Sequence, residues 1–378
     1  MVKLKKARRG ASFYISEKSN LLFILILLFS CSKDFQNQDL TIDVERIQIP
    51  ISENELNSYY VYSSYHQKGE KLITYNRTKH SFDFFDLEKQ TVLRNVLLER
   101  QGPNGIGNLE ALLWVAEDSV FAYERGLLYL LDEDGQVREK YELYKAYQNE
   151  NLGEPVLNFY FKLNFNKEDE TIYFFQIPMN LTQSEKVGIP LVSTLNISTM
   201  EVNTLPIYHS DFFGEINGDA GFLSYTGFTG FLGDKMIYNR QYESELYSYQ
   251  DGTTMKSEIH ENKRVRPLAS TNEDIDSHAI NETHFLSPIP DNYRKVIYRP
   301  QWGPPPTDQP EKGFMDKTMK LSIFNDQLNL NYESSLPSYT YSINNWFVNS
   351  NGLYINVAHP GNTNSSEDYL VFDIFRVE

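Results

Sequence analysis

Cysteine, positive charge and long apolar runs are all scarce in this sequence. The single cysteine, Cys31, excludes an intramolecular disulfide, a cysteine-based metal site and a redox pair. The formal net charge of −16 predicts a surface that repels phosphate backbones, so we expect no nucleic-acid partner. P-loop, nucleophile-elbow and kinase motifs are absent, and the seven histidines show no metal-ligand spacing. We therefore expect neither a metal nor a cofactor.

The one pronounced apolar run lies near the N-terminus. Leu21–Phe29 is too short to span a bilayer but is typical of the core of a signal peptide. It leads into Leu28-Phe29-Ser30-Cys31, which resembles a bacterial lipobox, and Ser32-Lys33-Asp34 resembles the export signal of surface lipoproteins. We therefore predict a signal peptide at residues 1–30, a lipid on Cys31 and a tether at residues 31–40. The expected location is the bacterial cell envelope, as an outer-membrane lipoprotein, with the leaflet left open.

Tyrosine and phenylalanine are abundant instead, with 26 and 24 copies, and both suit a pleated, half-buried surface. Gly126–Leu143 shows the clearest local pattern: an apolar run, a polar break at Asp132–Gly135 and a second run. An Asp-Gly break between such runs predicts a β-hairpin. The same pattern recurs along the chain, which indicates a repeat architecture.

Five units of four predicted strands, A to D, follow one another. They span Leu56–Leu98, Leu109–Tyr144, Val156–Ile207, Gly221–His260 and Thr283–Ser334. A sixth unit has three strands and ends the chain, while the alternating segment Thr41–Ile49 offers the missing fourth. Closing the last sheet with the first strand leaves only short, protected edges. We therefore predict an all-β, six-bladed β-propeller of four-stranded antiparallel blades, closed by the N-terminal strand, as one domain at residues 41–378.

In general pattern the chain resembles the uncharacterised propeller-like lipoproteins of the Bacteroidetes, of the domain-of-unknown-function 4221 type. The points of similarity are the lipobox at Cys31, the turn Gly102–Gly107 after the first unit and the strand Arg294–Arg299. The resemblance extends over nearly the whole mature chain. It implies the propeller fold and imports no activity.

Long loops gather at one predicted end of the propeller. The A–B and C–D turns of a blade lie at one end, here named the turn face, and they are tight. The B–C loops and the connections from strand D to the next strand A lie at the other end, the loop-rich face. The long insertions fall there: Glu99–Asn108, Asn180–Gly188, Tyr208–Ala220, Glu261–Glu282, Pro300–Lys317 and His359–Asp368. Such loops usually carry binding, although relaxed selection on that face is the alternative.

An arginine recurs where strand B ends. The four instances are Tyr75-Asn76-Arg77, Tyr123-Glu124-Arg125, Tyr238-Asn239-Arg240 and Tyr298-Arg299. A ring of guanidinium groups could hold a carboxylate or sulfate by bidentate hydrogen bonds. The alternative is that each arginine pairs with a nearby acid such as Glu124, Glu243 or Asp308.

Pro300–Pro306 predicts a stiff, extended loop with Trp302 near its apex. Trp302 there suits stacking on a sugar or contact with a partner, or else packing on its own loop. The predicted ligand-binding residues are Arg77, Arg125, Arg240, Tyr298, Arg299 and Trp302, and no catalytic residue is identified. Asp132–Gly135 is expected to be a hairpin turn, because the further ligands of a calcium loop do not follow it.

The leading hypothesis is a lipid-anchored envelope propeller that binds through its loop-rich face. The sequence favours a binding protein and leaves open whether it is also an enzyme. Its expected partner is an anionic small molecule, a glycan or an envelope protein. One alternative is a polysaccharide-degrading hydrolase or lyase, which would show perturbed carboxylates near the channel. Another is an accessory subunit of an outer-membrane assembly, which would show a flat apolar patch. Fold alone does not decide among them.

Overall fold

Successive strands of the repeat pair with one another and close a ring of six sheets. The computed structural model describes residues 41–377, except 54, 150–151, 159, 178–180, 182, 217–225, 259–263, 307–312 and 363–367. The predicted signal peptide, Cys31 and the tether therefore lie outside the described residues. The predicted six-bladed propeller of four-stranded antiparallel blades is confirmed.

The strands are numbered in chain order, beginning with β1 (Ile42–Pro50). Blade 1 contains β2 (Tyr60–His66), β3 (Lys71–Asn76), β4 (Ser81–Asp86) and β5 (Thr91–Leu97). Blade 2 contains β6 (Ala111–Ala116), β7 (Ser119–Glu124), β8 (Leu127–Leu131) and β9 (Val137–Glu142). Blade 3 contains β10 (Glu154–Val156), β11 (Phe165–Asn166), β12 (Thr171–Ile177), β13 (Val192–Asn196) and β14 (Val202–Leu205).

Blade 4 contains β15 (Thr226–Leu232), β16 (Lys235–Arg240), β17 (Leu246–Gln250) and β18 (Thr253–Lys256). Blade 5 contains β19 (His284–Phe285), β20 (Ile289–Asp291), β21 (Val296–Gly303), β22 (Thr318–Asn325) and β23 (Leu330–Leu336). Blade 6 contains β24 (Ser342–Asn349), β25 (Gly352–Asn356) and β26 (Tyr369–Val377), and β1 is its fourth strand.

The N-terminal strand closes the ring, as predicted. β1 pairs antiparallel with β26 over nine residues, from Ile42 opposite Val377 to Pro50 opposite Tyr369. Arg46 adds a bidentate ion pair, since its Nε and Nη2 donate to the buried Asp373 carboxylate at 2.7 and 2.9 Å. Pairing between the two ends of the chain completes blade 6 as a four-stranded sheet, so that only short outer edges remain.

The core is a ring of apolar clusters between neighbouring blades. The two middle strands of a blade are covered on both faces, so all six residues of β4 and all five of β25 are buried. Outer strands are solvated, and every residue of β18 is exposed. Between blades 1 and 2, for example, Phe84 packs edge-on against Trp114 with ring centroids 5.2 Å apart. The abundant aromatic residues thus hold blade against blade.

The inner strand of blade 3 is broken, and this differs from the continuous strand that the sequence predicts. β10 and β11 both pair with β12, and residues 157–158 and 160–164 between them leave the sheet. The Asn158 side chain forms a turn there, since its Oδ1 accepts the backbone N–H groups of Tyr160 and Phe161 at 2.8 and 3.0 Å. The displaced segment instead bonds to blade 4: the Lys162 N–H donates to the Phe228 carbonyl at 2.8 Å. Tyr160 and Lys162 are thereby directed to the central channel.

In the part of the chain that the structure describes, four short α-helices lie in the loops and connections of the loop-rich face. They are α1 (Leu143–Asn149), α2 (Gln183–Lys186), α3 (Asp211–Glu215) and α4 (Ile275–Asn281). None of the helices in the described part of the chain is both long and apolar enough to cross a membrane.

Candidate functional site

A cavity of about 620 Å³, here named the mouth cavity, opens at the loop-rich end of the central channel. Its wall consists of the ends of strands A and B and of the loops and connections beside them. Blades 1, 3, 4, 5 and 6 contribute Tyr60, Tyr160, Gln241, Trp302 and Tyr341, respectively. Cavities of roughly 300–1,000 Å³ are typical of small-molecule sites. The mouth cavity is therefore large enough for a small organic ligand.

Aromatic rings form one wall of the mouth cavity. Trp302 stands nearly perpendicular to Phe314, with ring centroids 5.0 Å apart, and His284 meets Phe314 edge-on at 5.9 Å. Tyr339 and His359, from blade 6 and the connection before it, make a second edge-to-face pair at 5.4 Å. Edge-to-face packing fixes ring orientation. The wall thus offers rigid aromatic surface to a ligand.

A hydrogen-bond network joins blades 3, 4 and 5 at the cavity. The side-chain amide of Gln241, a residue only 1% exposed, donates to the Tyr160 hydroxyl at 2.9 Å and to His284 Nδ1 at 3.3 Å. His284 Nε2 donates in turn to the Ala279 carbonyl at 2.8 Å, which leaves Nδ1 as the acceptor. Burial, together with the charge of Lys317, lowers the pKa of His284 to about 4, so the imidazole is neutral near pH 7.

The charged groups on the mouth cavity are positive. Lys317 Nζ donates to three carbonyls at the end of α4, those of Ala279, Ile280 and Glu282, at 3.0, 2.8 and 2.6 Å. Burial lowers the pKa of Lys317 to about 8. Arg77 is exposed at the rim, and its guanidinium has no hydrogen bond or ion pair among the described residues. No aspartate or glutamate is among the described residues that line this cavity.

Two of the predicted ligand-binding residues, Arg77 and Trp302, line the mouth cavity. Trp302 is not at the apex of a loop, as the proline-rich sequence predicts, but lies within β21. That strand continues to Gly303 because its residues pair with β22, Trp302 opposite Met319 and Gly303 opposite Thr318. The ladder holds the indole on the cavity wall.

Arg240 and Arg299 are buried away from the mouth cavity. Arg240 Nε and Nη2 donate to the Tyr208 carbonyl at 3.0 and 2.7 Å, and Nη1 pairs with Glu243 at 3.2 Å. Arg299 donates to the Ser244 carbonyl, and its guanidinium lies about 5 Å from the rings of Phe285 and Phe324. Both arginines therefore hold loops in place, and for Arg240 this is the predicted alternative of pairing with Glu243.

Arg125 and Tyr298 also lie apart from the cavity. The Arg125 side chain is 85% exposed and its Nε stands 3.9 Å from Glu110. Tyr298 is fully buried within blade 5, where its hydroxyl donates to Asp291 at 3.2 Å. The structure thus brings together two of the six predicted residues rather than a ring of four arginines.

The acidic hairpin Asp132–Gly135 is a turn held by its own first residue. Asp132 Oδ1 accepts the backbone N–H groups of Asp134 and Gln136 at 3.0 and 2.9 Å. Within the described ranges, no group of three or more histidine, cysteine, aspartate or glutamate side chains could hold a metal ion.

Sequence reasoning missed Tyr160, Gln241, His284 and Lys317, which line the mouth cavity. Gln241 directly follows strand B of blade 4, and His284 begins strand A of blade 5. A search by position at these strand ends, rather than for arginine, would have identified both. Tyr160 and Lys317 depend on the broken inner strand and on a long loop, which have no comparable sequence pattern.

A second cavity of about 220 Å³, here named the channel cavity, lies deeper between the inner strands. Asn158 lines both cavities. The wall of the channel cavity includes Tyr62, Glu110, Lys162 and Trp346, from blades 1, 2, 3 and 6, respectively. The two cavities therefore adjoin at Asn158.

Comparison with family models matches residues 29–335 to the family described as a domain of unknown function, DUF4221. The match includes blades 1 to 4 and nearly all of blade 5. The chain belongs to the DUF4221 family. The resemblance inferred from the sequence is therefore confirmed.

Solved structures share the fold of this DUF4221 protein. A crystal structure of a DUF4221 family member from Bacteroides vulgatus has a TM-score of 0.73 and 17% sequence identity, and the likeness covers 90% of this chain and 98% of that one. A Bacteroides fragilis protein whose name describes it as exported has a TM-score of 0.55 and 8% identity, with 89% and 95% covered. No curated protein matches the chain.

Proposed function

We propose that this protein is a binding module whose mouth cavity takes a small organic anion with an aromatic or apolar body. The carrying observation is the charge of the lining. The chain has a net charge of −16, yet the described lining combines Arg77 and Lys317 with no carboxylate. Lys317 is already bonded to three carbonyls, so Arg77 is the cation available to a ligand.

The aromatic wall supports an apolar ligand body. Trp302, Phe314 and Tyr339 present fixed rings beside the arginine. Rigid aromatic surface with few polar groups is typical of small-molecule sites, and a guanidinium binds a carboxylate by two parallel hydrogen bonds. An aryl-alkyl carboxylate combines both features.

We further propose that the protein is a lipoprotein of the bacterial cell envelope, anchored at the outer membrane through Cys31. The lipobox Leu28–Cys31 after a short apolar run supports this location. The similarity to a protein described as exported agrees with it. Metabolic labelling with a palmitate analogue should mark the wild-type chain and leave Cys31→Ser unlabelled, and equal labelling would contradict the anchor.

The binding proposal is tested with 3-phenylpropionate and its neutral amide, titrated into the full chain at low salt. Arg77→Met should weaken binding of the acid about tenfold or more, because a hydrogen bond to a charged group contributes about 1.5–3 kcal/mol. The amide should bind weakly to both proteins. Arg125→Met is the matched control, since Arg125 follows strand B at the same position but lies outside the cavity. Equal affinities of the wild type and Arg77→Met would overturn the proposal.

A further inference from the structure

The channel cavity is walled by the inner strands of blades 1, 2, 4 and 6 and by the displaced segment of blade 3. Its volume of about 220 Å³ corresponds to roughly seven water molecules at about 30 Å³ each. Ser63, Asn164 and Thr229 add polar side chains to its wall. The channel cavity is therefore a chamber of mixed polarity that can hold a small solute.

Lys162 is the basic group of this chamber. Its Nζ lies 3.5 Å from the centre of the Trp346 ring, a cation–π contact. Among the described residues, Nζ has no hydrogen-bond acceptor and no carboxylate partner. Arg240, Arg299 and Lys317, the buried basic side chains discussed above, all bond to protein oxygens. Lys162 is half-buried and differs from them, since its ammonium is held by a ring and can accept an anionic ligand as an oxygen partner.

A β-bulge in blade 1 shapes another part of the wall of the channel cavity. The pairing of β2 with β3 shifts register between Val61 and Ser63, and Tyr62 adopts a φ of +54°. A positive φ is strained for a bulky residue, and bulges commonly redirect a side chain beside a functional site. Here the bulge brings Tyr62 to the channel cavity, next to the mouth cavity that Val61 lines.

We propose that the channel cavity is a carboxylate-binding subsite anchored by Lys162 and reached from the mouth cavity past Asn158. The inference rests on the proposed function only for this route of entry. The carboxylate is either a free small acid or the inner acidic end of a molecule whose outer part lies in the mouth cavity. In the second case the ligand is an elongated dicarboxylate, held by Arg77 at one end and Lys162 at the other.

The protonation of Lys162 gives this subsite a distinctive property. Burial lowers the pKa of Lys162 to about 7, so the amine is partly neutral at pH 7. Three other titratable groups line the cavity: Glu110, Tyr62 and Tyr65. Burial is the main cause that raises the pKa of Tyr65. Burial raises the pKa of Glu110, an effect that the backbone N–H and the charge of Arg125 reduce, and burial together with the Glu110 charge raises that of Tyr62. A carboxylate beside Nζ favours the ammonium, so binding takes up a proton.

The test is calorimetric titration of the full chain with acetate and with the dicarboxylates from glutarate to suberate. Repeating each titration in buffers of different ionisation enthalpy measures the protons taken up. For the wild type we expect about half a proton at pH 7 and an affinity that rises about tenfold from pH 8 to pH 6. Lys162→Met should abolish both the proton uptake and the pH dependence of the affinity. Lys162→Arg keeps a cation that does not titrate, so it should still bind carboxylate without proton uptake.

Lys140→Met is the matched control, because Lys140 also lies over an aromatic ring, that of Tyr129, but on the exposed strand β9. Equal proton uptake on acetate binding by the wild type and by Arg77→Met would identify the ligand of the subsite as a free small acid. Tighter binding of one dicarboxylate, lost in both Arg77→Met and Lys162→Met, would identify the elongated ligand. Proton uptake that persists in folded Lys162→Met, or is missing from the wild type, would overturn the subsite. Proton uptake on acetate binding that depends on Lys162, together with equal phenylpropionate affinity in the wild type and Arg77→Met, would overturn the proposed function and leave the subsite standing.

Discussion

Two copies of the same three residues end strand B in blades 1 and 4, and they differ in what the third residue does. In Tyr75-Asn76-Arg77 and Tyr238-Asn239-Arg240, the tyrosine and the asparagine are buried in both blades. Arg77 is exposed on the mouth cavity, whereas the Arg240 side chain is 11% exposed and bonded on all sides. The shared tyrosine and asparagine mark a position in the blade, and the arginine takes its role from its surroundings.

The difference arises in the neighbouring loops. In blade 4, the connection from blade 3 brings the Tyr208 carbonyl over Arg240, and Glu243 follows three residues later. In blade 1 the chain turns back at once, because Asn76 Oδ1 accepts the N–H groups of Thr78 and Lys79, both at 3.1 Å. A loop that covers the arginine makes it structural, and a tight turn leaves it available to a ligand.

The largest expected difference between the two arginines is in stability. Arg240→Met removes one partner of a buried ion pair and leaves Glu243 unpaired, which should lower the free energy of unfolding by about 3–5 kcal/mol. Arg77→Met should change it by less than about 0.5 kcal/mol, since Arg77 is exposed and has no ion pair with any described residue. Urea unfolding of both variants measures the contrast. Similar losses in the two variants would contradict the assignment of roles.

The two asparagines should differ next. Asn239 Nδ2 donates to the carbonyls of Phe285 and Leu286 in blade 5, both at 3.1 Å, so Asn239→Ala leaves two buried acceptors without this donor. We expect a loss of about 1–3 kcal/mol. Asn76→Ala removes two bonds within one turn and should cost about 1 kcal/mol. Thermal unfolding of both variants tests this order, and a larger loss for Asn76→Ala would reverse it.

The smallest expected effect is a pH dependence of the Arg240→Met penalty. Burial alone raises the pKa of Glu243, but Arg240 and the hydroxyls of Ser210 and Tyr247 lower it more. In the wild type this contribution to stability is therefore present above the unfolded-state pKa and is lost as pH falls through the lowered folded-state pKa. Without Arg240 we expect burial to raise the folded-state pKa of Glu243 instead. Lowering the pH should then protonate Glu243 and reduce the destabilisation of Arg240→Met.

The stability gap between the wild type and Arg240→Met should therefore narrow by roughly 1–2 kcal/mol between pH 7 and pH 4.5. Urea unfolding at the two pH values measures it. Arg77→Met is the control and should show no such change, because Arg77 has no carboxylate partner in the described part of the chain. A gap that stays constant would indicate that Glu243 is solvated in the variant.

The fold could be predicted because strand alternation and turn residues repeat along the chain, and because Thr41–Ile49 alternates like the strand that blade 6 lacks. The loop-rich face could be predicted from loop length alone. The site could not, because its key side chains depend on contacts between distant residues. Tyr160 and Lys162 reach the channel only because their segment bonds to Phe228 in the next blade. Likewise, the sequence around Arg240 does not show that the Tyr208 carbonyl covers it.

The direction of β1 determines where the preceding chain joins the propeller. β1 begins at the turn face, where Ile42 lies opposite Val377, and ends at the loop-rich face, where Pro50 lies opposite Tyr369. The chain therefore enters the propeller at the end opposite the mouth cavity, and an attachment ahead of β1 leaves the rim of that cavity open to solutes.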